Sequence, residues 1–230
     1  MNTTTRLIIL FLFATTIFGC SPYSEKTEKQ PYLVMLSLDG FRWDYTHNAY
    51  TPTFDSLAKV GVIAEAIIPS FPTKTFPNHY TMATGLYPDH HGIVMNGFYA
   101  EDLKKDYNKK DKSSVRDSSF YGGEPIWTTA ELQGTKTATF FWVGSEAESH
   151  GVMPTHWKKY NESLHFEARI DTIYNWLSLP EEERPHLIMW YYHEPDEIGH
   201  RYGPNSKEMM TEVEQLDRYL GIFFSKMRQL

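Results

Sequence analysis

The stretch Ser70-Phe71-Pro72-Thr73-Lys74-Thr75-Phe76-Pro77-Asn78-His79-Tyr80 is the most unusual in the chain. Two prolines flank a hydroxyl-rich loop that runs into the start of a helix. A hydroxyl there, Thr75 above all, sits where free backbone N–H groups and the positive helix end stabilise an alkoxide and a phosphate. The same position suits an ordinary threonine N-cap, and loop context leaves both readings open. Asp196-Glu197-Ile198-Gly199-His200 sets a carboxylate and an imidazole four residues apart. On a helix or tight turn that spacing puts both on one face, as a metal pair needs; the alternative is an exposed Asp–His pair at a helix end. Asp39-Gly40 ends a strand-like run, either as a carboxylate at the strand's edge or as a common turn. Asn96 could donate to a phosphoryl oxygen or hold a turn. His79, expected to face helix packing, and His90-His91, after a turn, read as structural.

The elements that must position these groups come from hydrophobic patterning. Tyr32 to Leu38 and His186 to Tyr192 are continuous apolar runs of the kind found in buried parallel strands, as is Thr137 to Val143. Val62 to Ile68 is a further strand candidate. Helical patterns cover Thr53 to Lys59, stopped by Gly61, and Pro77 to Leu86, with Thr75 near its N-cap and Gly85 near its end. Another runs over about Ala168 to Leu177. Lys207 to Leu230 carries Val213, Leu216, Leu220, Phe223 and Met227 at spacings of three and four, an amphipathic helix that expects a sheet to pack on. Alternating strands and helices predict an α/β fold with a mostly parallel central sheet flanked by helices. Such sheets bind ligands at the carboxyl ends of their strands, which would bring Asp39 and Asp196 together.

Composition narrows the function. The 230 residues carry a net charge of −7 with no basic stripe, which argues against nucleic-acid binding. Lys104-Lys105, Lys109-Lys110 and Lys112, interleaved with Asp102, Asp106 and Asp111, read as a solvated loop. Residues 1–19 read as an export signal: Arg6 precedes the short apolar run Leu7 to Phe18. Ile17-Phe18-Gly19-Cys20 resembles the lipobox of bacterial lipoproteins, with Phe18 bulkier than usual. That resemblance implies lipidation at Cys20, a membrane anchor, and a place in the bacterial cell envelope, lipid-anchored or periplasmic. Residues 20–30 read as a polar tether and 31–230 as the globular part. Cys20 is the single cysteine, so no internal disulfide can form.

Several motifs follow one another in order: Leu38-Asp39-Gly40-Phe41-Arg42, the Pro72 to Tyr80 run, Thr84-Gly85-Leu86-Tyr87-Pro88 and His91-Gly92-Ile93-Val94. After them come Gly123-Glu124-Pro125-Ile126-Trp127, Phe141-Trp142-Val143-Gly144-Ser145-Glu146 and Glu194-Pro195-Asp196. Over about residues 31–230 this set closely resembles the nucleotide pyrophosphatase/phosphodiesterase family of the alkaline phosphatase superfamily. The resemblance implies an alkaline-phosphatase-like fold and hydrolysis of phosphodiester or pyrophosphate bonds in a nucleotide or other small phosphodiester. Two Zn2+ ions are implied: one bound by Asp39 and bridged to the nucleophile Thr75, the other bound by Asp196 and His200. Asn96 would hold a non-bridging phosphate oxygen. Phe76, with Tyr191 facing it, would line the pocket for a nucleobase or another apolar part of the substrate. A threonine hydroxyl is too weakly acidic to attack unaided, so a zinc would stabilise its alkoxide on the way to a covalent phosphothreonine, which water then hydrolyses.

The family pattern also has an Asp-His dipeptide after the next strand and a later histidine. No histidine follows His200 here, and Asp89-His90 lies in the wrong segment to replace the pair. The expectation is therefore an N-terminal part of the catalytic domain, incomplete at the C-terminus, unstable and nearly inactive by itself. Two rival readings stand beside it. One is a phospholipid-head-group phosphodiesterase or phosphomonoesterase on the same scaffold. The other is a non-catalytic envelope lipoprotein.

Overall fold

A computed structural model describes residues 30–230; the signal, Cys20 and most of the tether lie outside the described residues. In chain order the elements are β1 (Leu33–Leu38), α1 (Tyr45–Asn48), α2 (Pro52–Val60), α3 (Thr75–Thr84), α4 (Pro88–His91), β2 (Gly97–Ala100), β3 (Lys105–Asn108) and α5 (Lys112–Val115). Then follow α6 (Ile126–Leu132), β4 (Thr137–Phe140), β5 (His156–Lys158), α7 (Phe166–Leu177), β6 (Leu187–Tyr192), α8 (Asp196–Tyr202) and α9 (Lys207–Met227).

The main sheet has four parallel strands in the order β1-β6-β4-β5. Leu33 pairs with Leu187 and Leu38 with Tyr192, while Thr137 on the other side of β6 also faces Leu187. All six residues of β6 are buried, as an apolar run in a sheet covered on both faces requires. Alternation along β6 sorts its rings between the two faces. Trp190 and Tyr192 meet Phe166 of α7, and Trp190 also meets Phe223 of α9; Tyr191 points the other way, edge-on to His79 of α3. On α9, Val213, Leu216, Leu220 and Phe223 are buried, four of the five positions that periodicity selects.

Long-range contacts decide the helix starts. The N-cap Thr51 supplies no side-chain bond to α2. Asp217, buried on α9, accepts the N–H groups of Thr53 and Phe54 at 2.9 Å instead, satisfying donors that every helix start leaves open. The helix α3 starts two residues earlier than predicted. Lys74 is its cap and Thr75 its first residue, with Pro77 tolerated in the first turn because its missing N–H would have been unpaired. Gly85 ends it at φ 70°, donating to the Thr81 carbonyl.

The strand expected over Val62 to Ile68 does not form. The segment is irregular, and Val62 and Ile68 are 101% and 93% exposed. Its apolar composition matches a strand, but no described segment lies alongside to complete a ladder, and an unpaired strand gains no hydrogen bonds. In the main sheet β1 is an edge strand. Val34 and Leu36 there join Leu57, Leu220 and Phe223 around an apolar groove of 740 Å³.

Candidate active site

The site stands at the carboxyl ends of β1 and β6. The β1–β6 ladder continues one step past β1, where Asp39 donates its N–H to the Tyr192 carbonyl at 2.9 Å. The next residue, Gly40, has φ 67°, and a Cβ there would lie 2.8 Å from Asp196 Cα. Only glycine allows the turn after β1 to press so closely on the start of α8. This contact is what joins the two carboxylates across the strand ends, where open α/β sheets bind ligands.

Thr75, half-buried at the start of α3, donates its hydroxyl to Asp39 Oδ2 at 3.1 Å. Tyr191 donates to the same oxygen at 2.8 Å. Asn96 accepts the Phe76 N–H on Oδ1 at 3.0 Å, which fixes the amide and leaves its NH2 as the outward donor. On α8, His200 Nε2 lies 3.5 Å from Asp196 Oδ2, one turn away as the spacing predicts. Burial and the negative charge of Asp39 hold the Asp196 carboxyl above its usual range, while His200 and Lys109 act in the opposite direction.

His79 supports Thr75 from beneath. Its Nδ1 lies 2.8 Å from the Thr75 carbonyl, which can only accept, so Nδ1 carries the proton. Burial lowers its pKa and keeps the ring neutral, so Nε2 accepts from Ser37 of β1 at 2.9 Å. Trp142 Nε1 then donates to the His79 carbonyl at 3.0 Å. His91 is likewise buried, bonded to Thr81, while His90 is exposed beside Asp89. His79 and His91 are therefore held by packing, and His90 lies on the surface.

A cavity of 660 Å³ opens from Thr75 and Phe76, walled by Phe141, Trp142, Tyr160 and Tyr191. Tyr160, which sequence reasoning missed, is held there by its N–H on Glu146 at 2.8 Å. The lysine run is exposed, as a solvated loop would be, but Lys105 lies in β3 of a two-stranded hairpin, and Lys109, Lys110 and Lys112 also line the cavity. Charge alternation hid the hairpin, because β3 reads Lys-Asp-Tyr-Asn and buries only Tyr107. Next to Asp196, the donor atoms of His193, Glu194 and Glu197 lie within 4.8 Å of one another, a grouping that no expected motif contained.

The family model described as type I phosphodiesterase / nucleotide pyrophosphatase matches residues 33–230. The chain belongs to that family. It is 42% identical over 202 residues to human ectonucleotide pyrophosphatase/phosphodiesterase family member 1, covering 87% of this chain and 22% of the relative. Venom phosphodiesterase 2 of Crotalus adamanteus is 42% identical over 203 residues, covering 87% of this chain and 25% of its own length. Among solved structures, an inactive threonine-to-alanine variant of murine ectonucleotide pyrophosphatase/phosphodiesterase 5 in complex with AMP superposes with a TM-score of 0.82 at 34% identity. That match covers 86% of this chain and 53% of the other. The expected α/β, alkaline-phosphatase-like fold therefore holds. The chain spans about a quarter or less of the curated relatives' length and about half of the solved chain.

The donor types of this phosphodiesterase-family site suit a divalent cation: carboxylates from Asp39 and Asp196, the Thr75 oxygen and the His200 nitrogen. They fall into two pairs, Asp39 with Thr75 and Asp196 with His200. Two donors per ion fall short of the three or four that hold a catalytic zinc. No helix among the described residues is long and apolar enough to cross a membrane.

Proposed function

We propose that the chain is the N-terminal part of the catalytic unit of an exported nucleotide pyrophosphatase/phosphodiesterase with Thr75 as nucleophile. The observation that carries this reading is the Thr75 hydroxyl bonded to Asp39, itself brought against Asp196 by the turn at Gly40. In the first step Oγ of Thr75 bonds to phosphorus, the bond from phosphorus to the leaving group's oxygen breaks, and the hydroxyl proton passes to that leaving oxygen. Water then cleaves the Oγ–P bond, restoring the hydroxyl and releasing the phosphate monoester. Asn96 directs its NH2 to a non-bridging oxygen, and Phe76, Tyr160 and Tyr191 receive the apolar part of a nucleotide.

Asp39 with Thr75, and Asp196 with His200, would hold two zinc ions. Bound zinc supplies positive charge against the anionic ester and lowers the cost of ionising a hydroxyl. The missing donors are expected from polypeptide beyond this chain, and activity with them. The sequence before residue 31 and the relatives' names, ectonucleotide and venom enzymes, support export. Lipidation at Cys20 belongs to this proposal, with mass spectrometry of the membrane fraction as its check.

Hydrolysis of p-nitrophenyl thymidine monophosphate tests the reading. The 230-residue chain should give little turnover, and a protein of the relatives' length containing it should be active. In that longer protein Thr75→Ala should lower kcat by at least about a thousandfold. Substantial activity in the variant removes Thr75 from its role, and robust turnover by the short chain overturns the claim of missing ligands.

A further inference from the structure

The five lysines of the run 104–112 separate into two groups. Lys104 pairs with Glu101 at 2.9 Å, and Lys105 with Asp117 at 2.7 Å. Lys109, Lys110 and Lys112 form no ion pair among the described residues, and these three line the cavity. The acid interleaved with them is turned away: Asp111 accepts from the N–H and hydroxyl of Ser113 at the start of α5. Arg116, also on the cavity wall, is already matched to Glu146 at 3.0 Å. Glu162 and Glu197 are the carboxylates left there without an ion pair among the described residues, so the unpaired lysines outnumber them.

Backbone contacts place this charge with some accuracy. Lys109 donates its N–H to the Asn96 carbonyl at 2.9 Å, one residue before the hairpin's first pair, Gly97 with Asn108. Asn96 in turn grips the N–H of Phe76, next to the nucleophile. An acidic protein thus places three lysines without an ion pair at the cavity whose walls are Phe76, Phe141, Trp142 and Tyr160. Those rings suit the nucleoside part of a nucleotide.

We propose that Lys109, Lys110 and Lys112 form a subsite for a second phosphate carried on the nucleoside part of the substrate, apart from the phosphate that Thr75 attacks. The inference rests on the nucleotide reading above and adds the position of a further charge. Three ammonium groups free of protein partners suit a phosphate dianion as point charges, and their exposure makes the attraction sensitive to salt.

Calorimetric titration of a protein of the relatives' length that contains this chain with Thr75→Ala, using AMP, adenosine 3′,5′-bisphosphate and ATP, tests this. The bisphosphate should bind about tenfold more tightly than AMP, a difference of about one decade in Kd. That gain should shrink as salt rises and vanish in the triple variant Lys109→Gln, Lys110→Gln, Lys112→Gln, with AMP affinity held. The pair Lys104→Gln, Lys105→Gln should keep the gain. Equal binding of AMP and the bisphosphate, a gain for ATP alone, or a gain that survives the triple variant overturns the subsite while leaving the nucleotide reading in place. Failure of AMP itself to bind overturns both.

Discussion

The two ends of β1 behave in opposite ways. At its carboxyl end several candidate side chains are tied across elements: Thr75 and Tyr191 to Asp39, Asn96 to Phe76, His79 to Ser37. Along its outer flank an apolar groove lies beside a strand with no further neighbour, and elsewhere the irregular Val62 to Ile68 segment is exposed without a partner strand among the described residues. The candidate site is therefore ordered by contacts internal to the chain, while the flank presents surface of the kind proteins usually cover. Local order at a site does not require a complete sheet around it.

The sharpest way to break that contrast is at Gly40. A Gly40→Ala side chain would meet Asp196 Cα at 2.8 Å with φ at +67°, so it should destabilise the fold by about 1–3 kcal/mol and separate the two carboxylates. Urea denaturation measures the first effect and loss of metal uptake by the longer protein the second; wild-type values for both would show that the close approach is dispensable. Asp217→Ala should cost about 1–2 kcal/mol, because two N–H groups of α2 lose their acceptor far from the site. Here denaturation should change and metal uptake should not.

In the exposed segment the expectation reverses. Replacing Val62 and Ile68 together by Thr should alter stability by no more than about 0.5 kcal/mol, since neither side chain is buried. Binding of a hydrophobic dye should fall in the same variant. A large loss of stability would mean that this segment packs after all. The smallest effect concerns Asp117, held down to about 2 by its hydrogen bond from Lys105 and by Ser119. Its stabilising contribution is complete above the unfolded value of 3.8 and is lost as pH falls through about 2. Asp117→Asn should therefore flatten the acid limb of the stability curve in that window, and an unchanged limb would place Lys105 elsewhere.

Much of this was legible before any coordinates. β1, β6, α7 and α9 each carry a period or an apolar run long enough to outweigh local ambiguity. Asp39, Thr75, Asp196 and His200 were found through motif spacing, and the fold brings them to one end of the sheet. The failures share a cause. Val62 to Ile68 has the composition of a strand, but strand formation depends on a neighbour that composition cannot report. The β2–β3 hairpin has a charged strand with one buried side chain, too weak a pattern to stand out. Tyr160 and the three cavity lysines reach the site through loop geometry, which leaves no period. The early start of α3 turned on Pro77, compatible with either the first turn or the approach to it.

The pairing of β1 with β6 has a consequence for biosynthesis. Leu33 leaves the ribosome about 150 residues before its partner Leu187 exists. At roughly 5–20 residues per second that wait lasts on the order of ten to thirty seconds. Throughout it, the strand that ends in Asp39 is an apolar segment with both edges open. The nascent chain must be shielded during this interval, and the site cannot assemble until β6 has been made.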